Sequence, residues 1–215
     1  RDLMVLGLET LQGYGLTEAS PITNVNPPKK NKVGTVGPAV PGVDVKLRTI
    51  EGGVPGEGEV LIRGPNIMLG YYENPGATAE VLVDGWFRTG DIGRLDTDGY
   101  LSICGRSKNV IISEDGKNIY PEEIENELSK SAYFKEFCVL GRPSDSGGED
   151  VYAVIVPNEE ILIEQGETER VEEIIASEVK EASSRLADYK RIRDYALLKE
   201  ELPKTTTLKI KRQDL

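Results

Sequence analysis

The sequence predicts a mixed α/β protein in two parts, a β-rich, barrel-like region over residues 1–105 and a small α+β domain over 106–215. Three observations carry this. Up to about residue 103 the chain is rich in Gly and Pro, with short β-type runs separated by turn signals. After Gly105 the texture changes to strands alternating with helical periodicity. And 215 residues suffice for two small domains that each bury an apolar core.

In the first part the strands are read over Val43–Leu47 and Glu59–Arg63, and Glu51-Gly52-Gly53 and Pro55-Gly56 mark turns. In the second, Asn109-Val110-Ile111-Ile112 reads as a strand. Pro121 then opens a helix as an allowed first-turn proline, with Glu122 and Glu123 favourably placed at its positive end. Ile124 and Leu128 share its apolar face, while Glu125 and Glu127 point elsewhere. Residues 151–156 and 195–198 read as strands. Between them Val171, Ile174, Ile175, Val179, Ala182 and Leu186 recur at three- and four-residue steps, the signature of a second amphipathic helix.

Composition excludes several functions. Against 37 acidic residues stand 26 basic ones, a net charge of -11, which disfavours a nucleic-acid footprint. No apolar run approaches the roughly 20 residues needed to span a bilayer, and Arg1-Asp2-Leu3-Met4 has no signal-peptide layout. The chain is therefore expected to be soluble and cytoplasmic, with peripheral membrane contact left open. Cys104 and Cys138 lack metal-ligand spacing and read as inert core thiols. With no histidine present, imidazole acid-base chemistry and Ser-His-Asp triads are absent, so any chemistry runs on carboxylates, amines, hydroxyls and backbone.

Two short segments suit a nucleotide. Gly13-Tyr14-Gly15-Leu16-Thr17-Glu18 is a Gly-flanked turn with a hydroxyl and a carboxylate, suited to a phosphate and its magnesium. In Trp86-Phe87-Arg88-Thr89-Gly90-Asp91 a carboxylate following Gly can accept bonds from two ribose hydroxyls. Each alone is also an ordinary surface turn.

The order of the segments is more specific than any one of them. Between these two lies Gly58-Glu59-Val60-Leu61-Ile62-Arg63-Gly64. After them come Gly105-Arg106-Ser107-Lys108-Asn109, then Ile119-Tyr120-Pro121-Glu122-Glu123-Ile124-Glu125, then Lys209 near the end. From Gln12 to Arg212 the chain resembles the adenylate-forming superfamily of acyl- and aryl-CoA synthetases, luciferases and peptide-synthetase adenylation domains. The resemblance implies a two-step reaction. A carboxylate attacks ATP to give an acyl-adenylate and pyrophosphate, and a thiol, here of CoA, then displaces AMP.

The resemblance also implies roles. Lys209 bridges carboxylate and phosphate where anionic charge develops, while Lys204 and Lys211 are surface charges. Thr17 bonds a phosphate oxygen, Glu18 holds Mg²⁺, Tyr14 lies against adenine, Asp91 grips the ribose and Arg106 adds a ribose or phosphate contact. Lys108 is a hinge in a junction near 106–109, about which the carboxyl-terminal domain rotates between the two half-reactions. Gly116 leaves room for a pantetheine arm.

Departures from the family pattern matter as well. Leu208 stands where glycine is common, the loop Ser113-Glu114-Asp115-Gly116 is one residue longer than in many relatives, and Ile112 replaces a frequent lysine. The Leu208-Lys209 pair and the phrase Leu186–Ile192 resemble the long-chain fatty acyl branch. No Ser/Thr/Gly-rich segment ending in Lys-Gly is present among the 215 residues to cradle ATP phosphates, nor do they include the family's large upstream α/β region, which is expected to belong to a longer enzyme. The expectation is thus the carboxyl-terminal piece of a fatty acid-CoA ligase, inactive without its amino-terminal part. A carrier-protein-loading adenylation domain and a non-catalytic binding or regulatory module are the alternatives.

Overall fold

The computed structural model describes residues 7, 9–50, 53–206 and 208–215. The Arg1–Met4 start, the Glu51-Gly52 part of one turn signal and Thr207 of the terminal loop lie outside the described residues. The chain divides into two compact units, Arg1–Lys108 and Asn109–Leu215. The sequence reading put the division between 105 and 106.

In the first unit a two-stranded ribbon pairs β1 (Gly13–Tyr14) with β2 (Asn24–Val25), the two being joined through a 3₁₀ turn at Thr17–Ala19. Next come β3 (Asp44–Thr49) and β4 (Glu57–Arg63), then helix α1 (Pro75–Val81), capped by the Asn74 carboxamide accepting the Ala77 N–H at 3.1 Å. Strands β5 (Leu82–Val83), β6 (Trp86–Leu95) and β7 (Leu101–Arg106) complete an antiparallel sheet of order β3-β4-β6-β5, with β7 on β6. The β-rich half is an open sheet; the described residues form no closed barrel.

The two faces of that sheet differ. Val60 and Ile62 of β4 join Val43 and Leu101 in the core, which Tyr14, Leu16 and Val36 flank. On β4, Glu57 and Glu59 are also buried, and they are held by Arg94 at 2.6 Å and Arg48 at 2.6 Å. A buried carboxylate is tolerated where a guanidinium satisfies it.

In the second unit, β8 (Ile111–Ile112) pairs with β9 (Asn118–Ile119), and helix α2 (Pro121–Leu128) follows. Strands β10 (Phe134–Pro143) and β11 (Glu149–Pro157) are antiparallel. Helices α3 (Glu159–Glu164) and α4 (Val171–Ser184) then form the crossover that a parallel neighbour needs, and β12 (Asp194–Leu197) pairs parallel to β11. The period-two alternation along β11 sorts its residues into two cores. Val151, Ala153 and Ile155 pack with Ile124 and Leu128 of α2 and Ile175 and Val179 of α4. Tyr152, Val154 and Val156 pack with Cys138 and with Leu202, Ile210 and Leu215 of the terminal segment. The last residues of the chain therefore cover the sheet face that no helix covers.

Cys138 is 1% exposed. Burial pushes its thiol up to about 11, because the thiolate loses hydration, and nearby Arg212 offsets only part of this. A raised folded-state value favours the fold most below the ordinary thiol range, and the contribution fades as pH rises from about 9 to about 11. At pH 8 an aromatic disulfide reagent is expected to leave Cys138 unmodified until denaturant unfolds the second unit. Rapid labelling of Cys138 in the native chain contradicts its burial.

Candidate functional site

Asp91 is the centre of the first unit's polar cluster. It lies within the strand β6, which rules out the ordinary surface turn that was the alternative for this segment, and is 4% exposed. Its carboxylate accepts the Tyr14 hydroxyl on Oδ2 and Arg106 Nε, at 2.7 Å, on Oδ1. Arg106 faces it directly because the two residues are register partners across β6 and β7. The pairing places Arg106 with the first unit, whereas the sequence reading assigned it to the second domain.

Local structure fixes each member. The Asp91 N–H donates to Thr89 Oγ1 at 3.0 Å, and that hydroxyl donates to the Val60 carbonyl at 2.8 Å, locking β6 onto β4. Tyr14 is held by its carbonyl, which accepts both the N–H of Thr23, at 2.9 Å, and its hydroxyl, at 3.1 Å. Between them the chain folds back so tightly that a Cβ on residue 15 would lie 1.6 Å from the Pro21 carbonyl oxygen, so only Gly15 fits. Burial first, and the Asp91 charge second, drive the Tyr14 phenol far above its ordinary range, so it stays a donor.

Beside this cluster opens a cleft of about 450 Å³, lined by Leu16, Glu18, Tyr71, Phe87, Thr89 and Arg106 among others. Its size falls within the range of small-molecule sites. The Glu18 carboxylate accepts the Tyr71 hydroxyl at 3.0 Å. Thr17 shares the 3₁₀ turn with Glu18 but is exposed and does not line the cleft, and neither Tyr14 nor Asp91 lines it. Arg106 bridges the two features, touching Asp91 and lining the cleft. A fixed acceptor beside an open cleft with an acid and a guanidinium on its wall fits a nucleoside phosphate. No group of three or more potential metal ligands occurs among the described residues. One carboxylate, Glu18, still suits Mg²⁺, which keeps waters and takes its other ligands from phosphates.

Lys108 sits in a 3₁₀ turn over Ser107–Asn109, exposed, as the last residue of the first unit. The remaining nominated residues, Gly116 and Lys209, belong to the second unit. Gly116 lies at the tip of the β8–β9 loop, at φ 69° with open space around it, and its N–H donates to the Ser113 carbonyl at 2.8 Å. Lys209 lies on an exposed loop closed by a bridge between Lys204 and Ile210 and by the Thr205 N–H donating to the Lys209 carbonyl at 2.8 Å. Leu208, just before it, has φ 60° and is 78% exposed, so it occupies the backbone conformation that favours the glycine it replaces. Among the described residues Lys209 forms no ion pair. Lys204, in contrast to its expected role as a surface charge, is three-quarters covered and bound to Glu136 at 2.5 Å and Glu201 at 3.1 Å.

A clamp that the sequence did not reveal seats this loop. Arg212 Nη2 meets both oxygens of Glu125 at 2.6 Å, and Arg212 Nε donates to the Val139 carbonyl at 3.2 Å. Glu125 in turn accepts the Val139 N–H at 2.9 Å. The helix α2 carboxylate thus joins β10 to the terminal segment. Opposite charges 87 residues apart carry no pairing signal in a single sequence.

Comparison with known proteins gives this geometry its family. The model of the AMP-binding enzyme family matches residues 2–72, and that of the AMP-binding enzyme C-terminal domain matches residues 123–209. Across 98% of its length the chain is 41% identical to the long-chain-fatty-acid–CoA ligase of Bacillus subtilis, of which it covers 36%. Over its whole length it is 39% identical to the indoleacetate–CoA ligase of Aromatoleum aromaticum, covering 41% of that protein. Among solved structures it superimposes on O-succinylbenzoate coenzyme A synthetase of Bacillus subtilis in complex with ATP and magnesium ion, with a TM-score of 0.81 at 28% identity, over 100% of this chain and 42% of that one. The chain belongs to the adenylate-forming acyl-CoA ligase family, and it spans about 40% of the length of these relatives.

Replacing Arg212 with Met removes the clamp and leaves Glu125 without its cation. The expected cost is about 2 kcal/mol, seen as roughly thirtyfold faster amide exchange over 204–211. Unchanged exchange there would show that the clamp does not seat the loop.

Proposed function

We propose that this chain carries the ribose-holding cluster and the lysine loop of an AMP-forming ligase that joins a long-chain fatty acid to CoA. The carrying observation is the buried Asp91 carboxylate, fixed by Tyr14 and Arg106 beside the cleft, in a chain of the AMP-binding family. Support for the fatty acyl substrate comes from relatives such as the Bacillus subtilis enzyme and the Yersinia pestis long-chain-fatty-acid–CoA ligase, 39% identical. Indoleacetate and 2-succinylbenzoate ligases at similar identity make the acid the first thing to test.

In the first half-reaction a carboxylate oxygen forms a bond to the α-phosphorus of ATP, and pyrophosphate leaves. Asp91, held by Tyr14 and Arg106, accepts from the ribose hydroxyls and sets the register of the nucleotide. Tyr14 fixes Asp91 from one side and offers its ring face to adenine. Thr17 donates to a phosphate oxygen. Glu18 holds Mg²⁺, which when bound offsets phosphate charge. Lys209 places its ammonium where carboxylate and phosphate approach, lowering the repulsion between two anions.

In the second half-reaction the CoA thiolate attacks the acyl carbon and AMP leaves. Rotation about Lys108 withdraws Lys209 and brings the Gly116 loop to the site, where a missing side chain leaves room for the pantetheine arm. The 215-residue sequence has no Ser/Thr/Gly-rich segment ending in Lys-Gly, so on this reading it is inactive by itself.

The test joins the chain to the amino-terminal region its relatives carry and measures pyrophosphate release with a panel of carboxylic acids. Long-chain acids are expected to be the best substrates; release that no acid stimulates would overturn the reading. Asp91→Ala is expected to raise KM for ATP more than it lowers kcat, because its contact is with the ribose. Lys209→Ala should instead lower kcat for adenylation with KM little changed. Equal effects of both on KM alone contradict this division.

A further inference from the structure

The loop that carries Gly116 is held from outside by a feature of the β10–β11 turn. The Ile112 N–H, at the loop's entry, donates to Glu149 Oε2 at 3.0 Å. Accepted by a carboxylate, this is a charge-assisted bond to the backbone. Glu149 is the first residue of β11 and pairs with Pro143 across the turn 144–148.

Two glycines are shaped around that contact. A Cβ at position 141 would lie 2.7 Å from Glu149 Oε1, so Gly141 leaves the space the carboxylate occupies. Gly148, at φ 67°, presses its backbone against the loop, where a Cβ would lie 2.6 Å from the Glu114 nitrogen and 2.7 Å from the Ser113 carbonyl carbon. The loop closes on itself through the Ser113 N–H to the Lys117 carbonyl at 3.1 Å and the Lys117 N–H to Ser113 Oγ at 3.1 Å. Internal bonds thus set the loop's shape, and the 148–149 corner sets its place on the second unit.

We propose that Glu149, with Gly141 and Gly148 shaped around it, is a positioning residue for thioester formation, acting through the 113–117 loop. This rests on the assignment of that loop to the second half-reaction. Glu149 touches no substrate. It fixes the backbone at Ile112, and so the path along which Gly116 presents open space. Such a role needs an acceptor at this position more than it needs a charge.

The test measures the two half-reactions separately in the chain joined to its family's amino-terminal region. Glu149→Ala is expected to slow acyl transfer to CoA about tenfold or more, with acyl-adenylate formation within about twofold of wild type. Glu149→Gln, which can still accept the Ile112 N–H, is expected to restore transfer to within about threefold. Gly141→Ala is the second variant. Its Cβ meets the movable end of the Glu149 side chain, so it folds at small cost, yet it displaces the carboxylate. It is expected to reproduce the Glu149→Ala split.

Loss of both half-reactions together, or of neither, overturns the proposal, as does a Gln variant as impaired as Ala. Gly116→Val separates this inference from the reading beneath it. If Gly116→Val leaves transfer intact, the loop does not serve the second step and both fail. If Gly116→Val slows transfer while Glu149→Ala and Gly141→Ala do not, the positioning role alone fails.

Discussion

A carboxylate that is 96% covered must be paired, and the pairing of Asp91 organises the first unit. Its two named donors come from far apart in sequence. Tyr14 lies 77 residues before it and Arg106 on the next strand, so one buried charge ties the β1–β2 ribbon to β6 and β7. The constraint then propagates. Directly after Tyr14 the chain folds back between Gly15 and Pro21, and Leu16 and Glu18 of that reversal line the cleft. Arg106 must stay within β7, which leaves Lys108 and Asn109 as the point where one unit ends and the other begins.

The second unit solves a different problem. Its sheet has two apolar faces, and helices α2 and α4 serve only one of them. The other face is covered by the terminal segment through Leu202, Ile210 and Leu215, and the Glu125–Arg212 clamp pins that segment at its far end. Between these anchors the Lys209 loop projects with an exposed lysine and a left-handed Leu208. A non-glycine residue in that conformation costs roughly 1–2 kcal/mol, which the surrounding anchors must outweigh. A loop so built holds its lysine at a defined place while keeping the ammonium available.

Much of this was legible in the sequence because it depends on local pattern. The runs at Val43–Leu47, Glu59–Arg63 and 151–156, the Pro121 helix and the 171–186 periodicity each mark an element found close to where the pattern placed it. The segment Thr89-Gly90-Asp91 was compatible with a surface turn as well as with a ribose site, and the structure decides against the turn: Gly90, at φ 69°, is accommodated inside β6, where cross-strand pairing with β4 and β7 overrides local preference. Helix α1 is short and carries Gly76 at its start, so propensity gave no sign of it. What no single sequence shows is long-range pairing of charged and polar groups. Lys204 with Glu136, Arg212 with Glu125 and the Ile112 N–H with Glu149 all join segments far apart in the chain. The candidate residues were found by motif order, and the residues that hold them in place became visible only in three dimensions.

The central claim is that the Asp91 cluster is built for a ribose. The most direct test is to titrate the 215-residue chain with AMP and with 2′,3′-dideoxy-AMP while following backbone amides by NMR. The expected result is that AMP shifts the amides of Tyr14, Thr89, Gly90, Asp91 and Arg106, and that the analogue lacking both ribose hydroxyls leaves them unmoved. Equal shifts with the two nucleotides, or shifts confined to other residues, would contradict it.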